Sequence, residues 1–328
     1  MSAPGGGSGR HERDVGEPGP GSVEGRSIVV PAALAGERVD RVVAMLTGLA
    51  RAEVAALVEA GAVRVGGRAV PSRSRRLVEG DRVEVDVPQP VGLGPPQPNP
   101  GVAVVVVVED DDVVVVDKPA GLVVHPGAGH TGDTLVNGLL ARYPELAGVG
   151  DPARPGIVHR LDAGTSGLLA VARTPRAYDT LVAQLASRTV ERYYDALVLG
   201  SVESPSGLVD APIGRSAVDP TRMAVVSDGR QARTRYEVRA RYASPVPTTL
   251  LACRLETGRT HQIRVHLAAI GHPVVGDARY GGDRPALAAG RPFLHAAHLA
   301  FAHPVSGERI EAFSPLPDDL LALLDGLG

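Results

Sequence analysis

Apolar positions recur at helical spacing in two segments near the start of the chain, residues 38–46 and 51–60, and Gly61 ends the second. Charged and apolar residues then alternate, in the manner of short strands, in three stretches: 63–65, 68–70 and 81–87. A pair of glycines separates the first two of these stretches and is typical of a tight turn. The pattern predicts a compact unit of two helices and a small sheet over residues 27–88.

Two segments beside this unit lack apolar periodicity. Residues 1–26 are rich in Gly, Pro and Ser, and we predict that they form a disordered tail. Residues 89–100 carry many Pro and Gly residues, which is typical of a linker. A larger domain is predicted over residues 101–316, and an acidic segment, residues 317–328, follows it.

The larger domain mixes strand and helix patterns without the regular spacing of βαβ units. β-Branched runs at 104–108 and 113–116 flank an acidic turn, which predicts a hairpin. Helical patterns cover 133–143, a segment that opens with Thr174 as N-cap and Pro175 as first residue, and 261–270. Further strand-like stretches lie at 191–199, 234–241 and 249–256. The domain is therefore predicted to be α+β, with a mixed, largely antiparallel central sheet and flanking helices.

The composition narrows the cellular environment. The 328 residues are enough for two domains, and the apolar runs fall well short of the ~20 residues that span a membrane. No apolar stretch follows the charges near the N-terminus, so we expect no secretory signal. Cys253 is the only cysteine, which excludes an intrachain disulfide and a cysteine-based metal cluster. These features favour a cytoplasmic protein.

The charge pattern leaves the partner open. Lys118 is the only lysine, so nearly all positive charge is arginine. GC-rich codon usage explains this surplus, and the suitability of arginine for binding phosphate explains it as well. The net charge of −3 weighs against a nucleic-acid partner, but much of the acid lies at the chain ends and in one turn. Electrostatic recognition is local, so net charge does not decide the question.

The candidate chemistry begins with a polar turn after a strand-like segment. His159, Arg160 and Asp162 lie within four residues of one another, between two apolar strand patterns. Such a junction is where a rigid scaffold presents functional groups. The alternative is structural: Asp162 caps the turn through the amides of Thr165 and Ser166, with Arg160 as its ion-pair partner. From spacing alone both interpretations stay open.

Several further motifs, in order along the chain, resemble those of the RluA family of RNA pseudouridine synthases. The matching segments are DKPAGL at 117–122, HRLDxxTSG at 159–167, a strand with Tyr194 in the key position, RMAV at 222–225, GRTHQIRVH at 258–266, GDARYG at 276–281 and LHA at 294–296. The first compact unit resembles an S4 RNA-binding domain. The resemblance covers roughly residues 27–315. Ala163 and Gly164 depart from the family, which often has charged residues there, and could alter contacts to the RNA backbone.

The resemblance implies a reaction and its residues. Members of the family break the glycosidic bond of uridine, rotate the base and rejoin it through C5, and they need no cofactor. Asp162 is then the nucleophile, and Arg264 the fixed cation, expected as a bidentate partner, that keeps the carboxylate charged under the base. Tyr194 stacks on the uracil, and its hydroxyl handles a proton. Arg160 occupies the space that the flipped base vacates, and His159 joins it as an RNA-binding residue.

RNA contacts are also expected from the first compact unit. Its candidate phosphate-binding residues are Arg51, Arg64, Arg73, Arg75 and Arg76. Acidic residues are interleaved with them, so a solvated charged face is the alternative. The histidines near positions 159 and 261–266 fit no zinc spacing, and we expect no metal.

Two other functions compete with this interpretation. One is a binding-only protein with a dead catalytic domain, acting in ribosome assembly. The other is a hydrolase that uses Asp162 to release free uracil. Within the family, this domain order most resembles the branch that modifies 23S ribosomal RNA of the large subunit in its D-type form, with the C-type branch as alternative. The resemblance thus predicts RNA as partner, and we expect a monomer.

Overall fold

The computed structural model describes residues 23–47, 49, 51–88, 94–127, 132–216, 218–219 and 222–328, without the side chains of 23–25, 51–53 and 88. The chain divides into two compact units, Met1–Gly94 and Pro95–Gly328. No helix among the described residues is long and apolar enough to cross a membrane.

The N-terminal unit is a small sheet covered by two helices. Its strands are β1 (Val23–Val29), β2 (Val63–Val65), β3 (Arg68–Ala69) and β4 (Arg82–Pro88), and its helices are α1 (Val39–Thr47) and α2 (Arg51–Glu59). The sheet has the order β1-β4-β2-β3 and is antiparallel throughout. Val43 of α1, Val54 of α2 and Val83 of β4 are completely buried in its core. Alternating valines supply the buried face of the strands, as the sequence pattern predicts.

One boundary differs from the prediction. Residues 23–26, assigned to the disordered tail, belong to β1, whose backbone pairs with β4 from Val23↔Pro88 to Val29↔Arg82. Backbone pairing along the free edge of β4 orders this segment, although its side chains show no clear periodicity. Residues 1–22, which complete the predicted tail, lie outside the described residues.

The C-terminal unit contains the remaining strands and helices. Its strands are β5 (Val105–Glu109), β6 (Val113–Lys118), β7 (Ser166–Ala172), β8 (Glu191–Leu199), β9 (Ser206–Asp210), β10 (Ile213–Arg215), β11 (Met223–Val225), β12 (Arg233–Tyr242), β13 (Thr248–Leu255), β14 (Leu294–Ala302) and β15 (Arg309–Phe313). Its helices are α3 (Leu135–Arg142), α4 (Pro175–Ala186), α5 (Gln262–Ala269) and α6 (Asp318–Asp325).

A nine-stranded sheet runs through this unit in the order β5-β6-β7-β14-β8-β13-β12-β9, with β15 beside β14. Among the described strands of this sheet only β7 and β14 pair in parallel, so the predicted mixed, largely antiparallel α+β architecture is confirmed. Both faces are apolar because α3 packs on one face and α4 on the other. Consecutive valines of β6 alternate between these two cores: Val114 joins the first, and Val115 the second.

Local signals placed most of these elements correctly. The 104–108 and 113–116 runs form the antiparallel hairpin of β5 and β6. Thr174 is the N-cap of α4, and its hydroxyl accepts a hydrogen bond from the Ala177 amide at 3.2 Å. Pro175 occupies the first helical position, where its missing N–H costs nothing.

Two segments predicted to lie outside the larger domain are part of it. Residues 97–99 of the predicted linker dock on α3, since the Asn99 amide donates to the Asn137 carbonyl and the Asn137 side chain donates to the Gln97 carbonyl. Residues 89–93 lie outside the described residues. The acidic segment 317–328 forms α6, which buries Leu320 in the first core. Its leucines at helical spacing outweigh the acidic residues on the exposed side.

Gly167, at the start of β7, makes the parallel contact with β14 possible. Its φ is +109°, and a Cβ there would lie 2.3 Å from the carbonyl oxygen of Ala296. Both the backbone conformation and the close approach therefore require glycine.

We expect Gly167→Ala to lower the free energy of unfolding by roughly 2–4 kcal/mol, because it combines a strained φ with overpacking. The measurement is denaturant unfolding of the purified protein. Gly290→Ala is the matched control, since a Cβ at exposed Gly290 meets nothing within 4 Å. Equal stability of the two variants would contradict the argument.

Candidate active site

Asp162 lies in the turn that leads into β7, and buried neighbours fix this turn on both sides. Ile157 and Leu161 insert into the first core, as expected from their apolar character. The Thr165 amide donates to the Asp162 carbonyl at 3.0 Å, which closes the turn. The Asp162 side chain is left 19% exposed, at the floor of a cleft.

Lys118, the only lysine, supports this turn from beneath. It is completely buried at the end of β6, and its ammonium donates to the carbonyl oxygens of Pro119, Leu122 and Ala163 at 2.8, 2.8 and 3.2 Å. Burial lowers the pKa of Lys118 to about 8, partly offset by the charge of Asp162. The side chain thus connects the loop after β6 to the residue that follows Asp162.

A single guanidinium joins two carboxylates beside the turn. Arg264 of α5 donates from Nη1 to Oδ2 of Asp162 at 2.9 Å, and from Nε and Nη2 to the carboxylate of Asp277 at 2.6 and 2.9 Å. The bidentate face of the arginine therefore belongs to Asp277, whereas the expected bidentate partner was Asp162. Asp277 is 1% exposed. Burial acts to lower the pKa of Arg264, but the two carboxylates outweigh it and raise that pKa.

The same arginine lies over an aromatic ring that is connected to Asp162 by a second set of contacts. The guanidinium carbon of Arg264 is 5.0 Å from the ring centroid of Tyr280. The Tyr280 hydroxyl is 2.8 Å from Nδ1 of His261, whose Nε2 is 3.9 Å from Oδ1 of Asp162. Burial lowers the pKa of His261. Asp162 thus has a permanent cation on one oxygen and a largely neutral imidazole near the other.

Tyr194 projects from β8, a central strand of the sheet, into the cleft above Asp162. Its side chain is 5% exposed, and burial raises its pKa to about 12, so the phenol is neutral near pH 7. The described residues provide no hydrogen-bond partner for its hydroxyl. Tyr193, the next residue, faces the other side of the sheet and stacks on His298 with centroids 5.2 Å apart.

The cleft has a volume of about 670 Å³, and Asp162 and Tyr194 both line it. A smaller adjoining cavity of about 50 Å³ is lined by the same two residues and Arg264. Five arginines line the larger cleft: Arg154, Arg160, Arg188, Arg192 and Arg259. The site therefore combines a half-buried, charge-paired carboxylate with a cleft wall rich in arginine.

The structure separates the two interpretations of the polar turn. Asp162 pairs with Arg264, whereas Arg160 points into the cleft, exposed, with Nη1 3.5 Å from His125. His159 has a structural contact, since its Nε2 accepts a hydrogen bond from the Ala170 amide at 3.0 Å. Burial lowers the pKa of His159 to about 3, so the ring is neutral. Because the Ala170 amide occupies Nε2, only the other atoms of the His159 ring are available to a ligand.

The arginines predicted to bind RNA in the N-terminal unit differ in their availability. Arg64 is engaged by Asp86 in a bidentate ion pair at 2.7 and 3.0 Å. Arg76 is exposed and donates to the Gly36 carbonyl at 2.7 Å. Arg73 is exposed, and Arg75 is half-buried. The side chain of Arg51 lies outside the described residues.

Asp277 and Tyr280 are site residues to which the sequence assigned no role. They belong to the GDARYG segment at 276–281, which matches the family but lies far along the chain from Asp162. The only signal was that motif, and it gives no indication of a partner. Among the residues described, no three His, Cys, Asp or Glu side chains are grouped in a way that could hold a metal ion.

Comparisons with known proteins agree on one family. Residues 112–269 match the family described as RNA pseudouridylate synthase. A Chloroflexus aurantiacus protein named an uncharacterized RNA pseudouridine synthase is 48% identical over 92% of this chain and 93% of its own length. Ribosomal large subunit pseudouridine synthase D of Nitrosomonas europaea is 44% identical over 92% of this chain and 87% of its own.

A solved structure shows the same architecture. Human RNA Pseudouridylate Synthase Domain Containing 1 superposes with a TM-score of 0.55 at 29% identity. The match covers 70% of this chain and 90% of the human one.

Two bidentate ion pairs of this unit differ mainly in exposure, so they test how burial changes the contribution of an ion pair to stability. Asp277–Arg264 and Asp319–Arg291 have the same bidentate geometry, 2.6 and 2.9 Å, but the Asp319 side chain is 55% exposed. We expect Asp277→Asn to lower the free energy of unfolding by about 3–5 kcal/mol, because it weakens the compensation of a buried cation. Asp319→Asn should cost at most about 1 kcal/mol. Calorimetric unfolding of both variants measures the difference, and comparable losses would refute the ranking.

Proposed function

The chain belongs to the RluA family of RNA pseudouridine synthases, and we propose that it isomerises specific uridines of 23S ribosomal RNA with Asp162 as nucleophile. The observation that carries the proposal is the pairing of Asp162 with Arg264 at the floor of a basic cleft. A permanently charged partner keeps the carboxylate ionised when a base covers it. The electrostatic requirement for an anionic group is therefore met without a cofactor.

The reaction needs the target uridine to leave its stack, because the duplex or loop hides the sugar. Exposed Arg160 lies two residues from Asp162 and is suited to fill the vacated space. In the cleft, the N1–C1′ bond breaks, the uracil turns, and C5 bonds to C1′. C5 then loses its proton and N1, freed from the sugar, gains one, so the product is an isomer of the substrate. Asp162 supplies the negative charge beside C1′ through these steps.

Tyr194 is suited to hold the detached base. Its ring forms a wall of the cleft, and its hydroxyl has no described partner to compete with a substrate. The phenol is neutral, since its pKa is about 12. We propose that the Tyr194 ring stacks on the uracil and that its hydroxyl relays a proton. Because the phenol is neutral, the hydroxyl can accept a proton only as it donates its own. A route in which C2′ loses a proton to form a glycal intermediate needs a base, and the Asp162 carboxylate is better suited to this than a neutral phenol.

The target rests on relatives and domain order. Three relatives named ribosomal large subunit pseudouridine synthase D, from Nitrosomonas, Xanthomonas and Zymomonas, are 44%, 46% and 43% identical to the chain. We further propose that the N-terminal unit is an S4-type RNA-binding domain, which its two helices and small antiparallel sheet support. The single, buried Cys253 fits action in a reducing cytoplasm.

Asp162→Asn should abolish pseudouridine formation while changing RNA affinity less than a few fold, because amide and carboxylate are nearly isosteric. The measurement is tritium release from C5-labelled, unmodified 23S ribosomal RNA, together with a binding isotherm. More than about a hundredth of the wild-type rate in the variant would exclude Asp162 as nucleophile.

The control is Asp318→Asn, at the exposed start of α6, which should retain full activity. Mapping of pseudouridines in ribosomal RNA of a deletion strain, with and without the restored gene, identifies the sites. Free uracil in place of an RNA-bound isomer would show a hydrolase. Binding without either product would show a binding-only protein.

Replacing Arg73, Arg75 and Arg76 by alanine should weaken binding of 23S ribosomal RNA uniformly across sequences. The slope of log K against log salt should fall by ~0.7–0.9 for each phosphate that the variant no longer binds. Arg64→Ala should change the slope less, because Asp86 already occupies its guanidinium. An unchanged slope in the triple variant would mean that these side chains do not contact RNA phosphates and stay solvated in the complex.

A further inference from the structure

Arg192 is a buried cation of the cleft for which the described residues provide no ion pair. It lies on β8 two residues before Tyr194, so both side chains project from the same face of the strand. Only 6% of Arg192 is exposed, and its Nε is buried without a hydrogen-bond partner. The described residues place no carboxylate in an ion pair with it.

The groups around Arg192 are neutral. The Tyr194 phenol and the His159 imidazole, both near it, are uncharged at pH 7 because burial moves their pKa values to about 12 and about 3. On the other side of the guanidinium lies Gly258, where an added Cβ would be 2.8 Å from Nη1 of Arg192. The absence of a side chain at position 258 thus leaves room for the guanidinium in the wall of the cleft. Burial lowers the pKa of Arg192.

Two other arginines of this unit, buried Arg264 and half-buried Arg233, are compensated. Arg264 contacts two carboxylates. Arg233, whose Nε also lacks a hydrogen bond, is within 3.1 Å of both Asp210 and Glu256. An unpaired buried cation destabilises a folded protein, since desolvation is not offset by a counter-charge. A cation kept in this state at the wall of an open cleft is suited to an anionic ligand.

We propose that Arg192 binds a backbone phosphate beside the flipped uridine, and that it is thereby a substrate-positioning residue. This inference rests on the proposed function of the cleft. Phosphate is the anion that RNA supplies at every nucleotide, and the planar guanidinium matches it through two parallel hydrogen bonds. A uracil carbonyl would accept a hydrogen bond but would not supply the missing negative charge. Because β8 carries both residues, Arg192 and Tyr194 would fix the phosphate and the base of the bound segment in one rigid register.

The inference makes opposite predictions for stability and binding. Arg192→Met removes an uncompensated charge and keeps the length of the side chain. The midpoint of thermal unfolding of the free protein should therefore rise, by roughly 2–4 °C. Affinity for unmodified 23S ribosomal RNA should fall by roughly tenfold to a hundredfold, as expected when a charge-assisted hydrogen bond is removed. The slope of log K against log salt should fall by ~0.7, the value for one phosphate contact with single-stranded RNA.

Arg239→Met is the matched control, because Arg239 is exposed on β12 and does not line the cleft. It should alter neither the unfolding midpoint nor the salt slope. A second variant, Arg192→Lys, keeps the charge without the fork, so it should retain the salt slope and bind with part of the wild-type affinity.

Three outcomes would overturn the proposal. A lower unfolding midpoint in Arg192→Met would show a structural residue. Weaker binding with an unchanged salt slope would indicate a neutral contact such as a uracil carbonyl. Wild-type affinity would show no contact at all. Each readout is binding or unfolding, so it is independent of turnover, and failure of the isomerisation proposal in the tritium assay is recognised separately.

Discussion

The candidate site depends on one guanidinium shared between two carboxylates. Arg264 donates from Nε and Nη2 to fully buried Asp277 and from Nη1 to Asp162. Asp277 therefore orients the arginine, and the arginine in turn orients Asp162 and supplies its counter-charge. An arginine suits this position because its planar group can satisfy two acceptors at fixed angles, whereas a lysine presents one point charge.

The candidate site and its support show three ways of burying a cation. Arg264 is neutralised by carboxylates within the protein. Lys118 is held by three backbone carbonyls, which are dipoles without net charge, and its pKa falls to about 8 as a result of burial. Arg192 has neither kind of partner among the described residues, and the protein would find its counter-charge only in a ligand. Arg264 and Lys118 thus stabilise the site itself, whereas Arg192 is the cation that we propose to bind substrate.

The central sheet fixes the positions of Asp162 and Tyr194 relative to each other. Asp162 precedes β7, Tyr194 projects from β8, and β14 lies between the two strands. Gly167 permits the close parallel contact of β7 with β14, the strand that separates β7 from the Tyr194 strand. A rigid central sheet is the support on which a catalytic group can keep its position within a fraction of an ångström.

The sequence alone determined those elements that depend on residues close together in the chain. Periodicity placed the hairpin of β5 and β6 and the helix capped by Thr174, because these follow from side-chain spacing and local hydrogen bonds. The motifs identified Asp162 as a candidate, but spacing also allowed Arg160 as its partner. The resemblance named Arg264, 102 positions away, and the tertiary structure showed how it pairs: one N–H goes to Asp162 and the bidentate face to Asp277. Pairing between distant strands and helices leaves no local pattern. The charge balance of the site, in which the described residues give Arg192 no ion pair, is therefore a property of the folded chain.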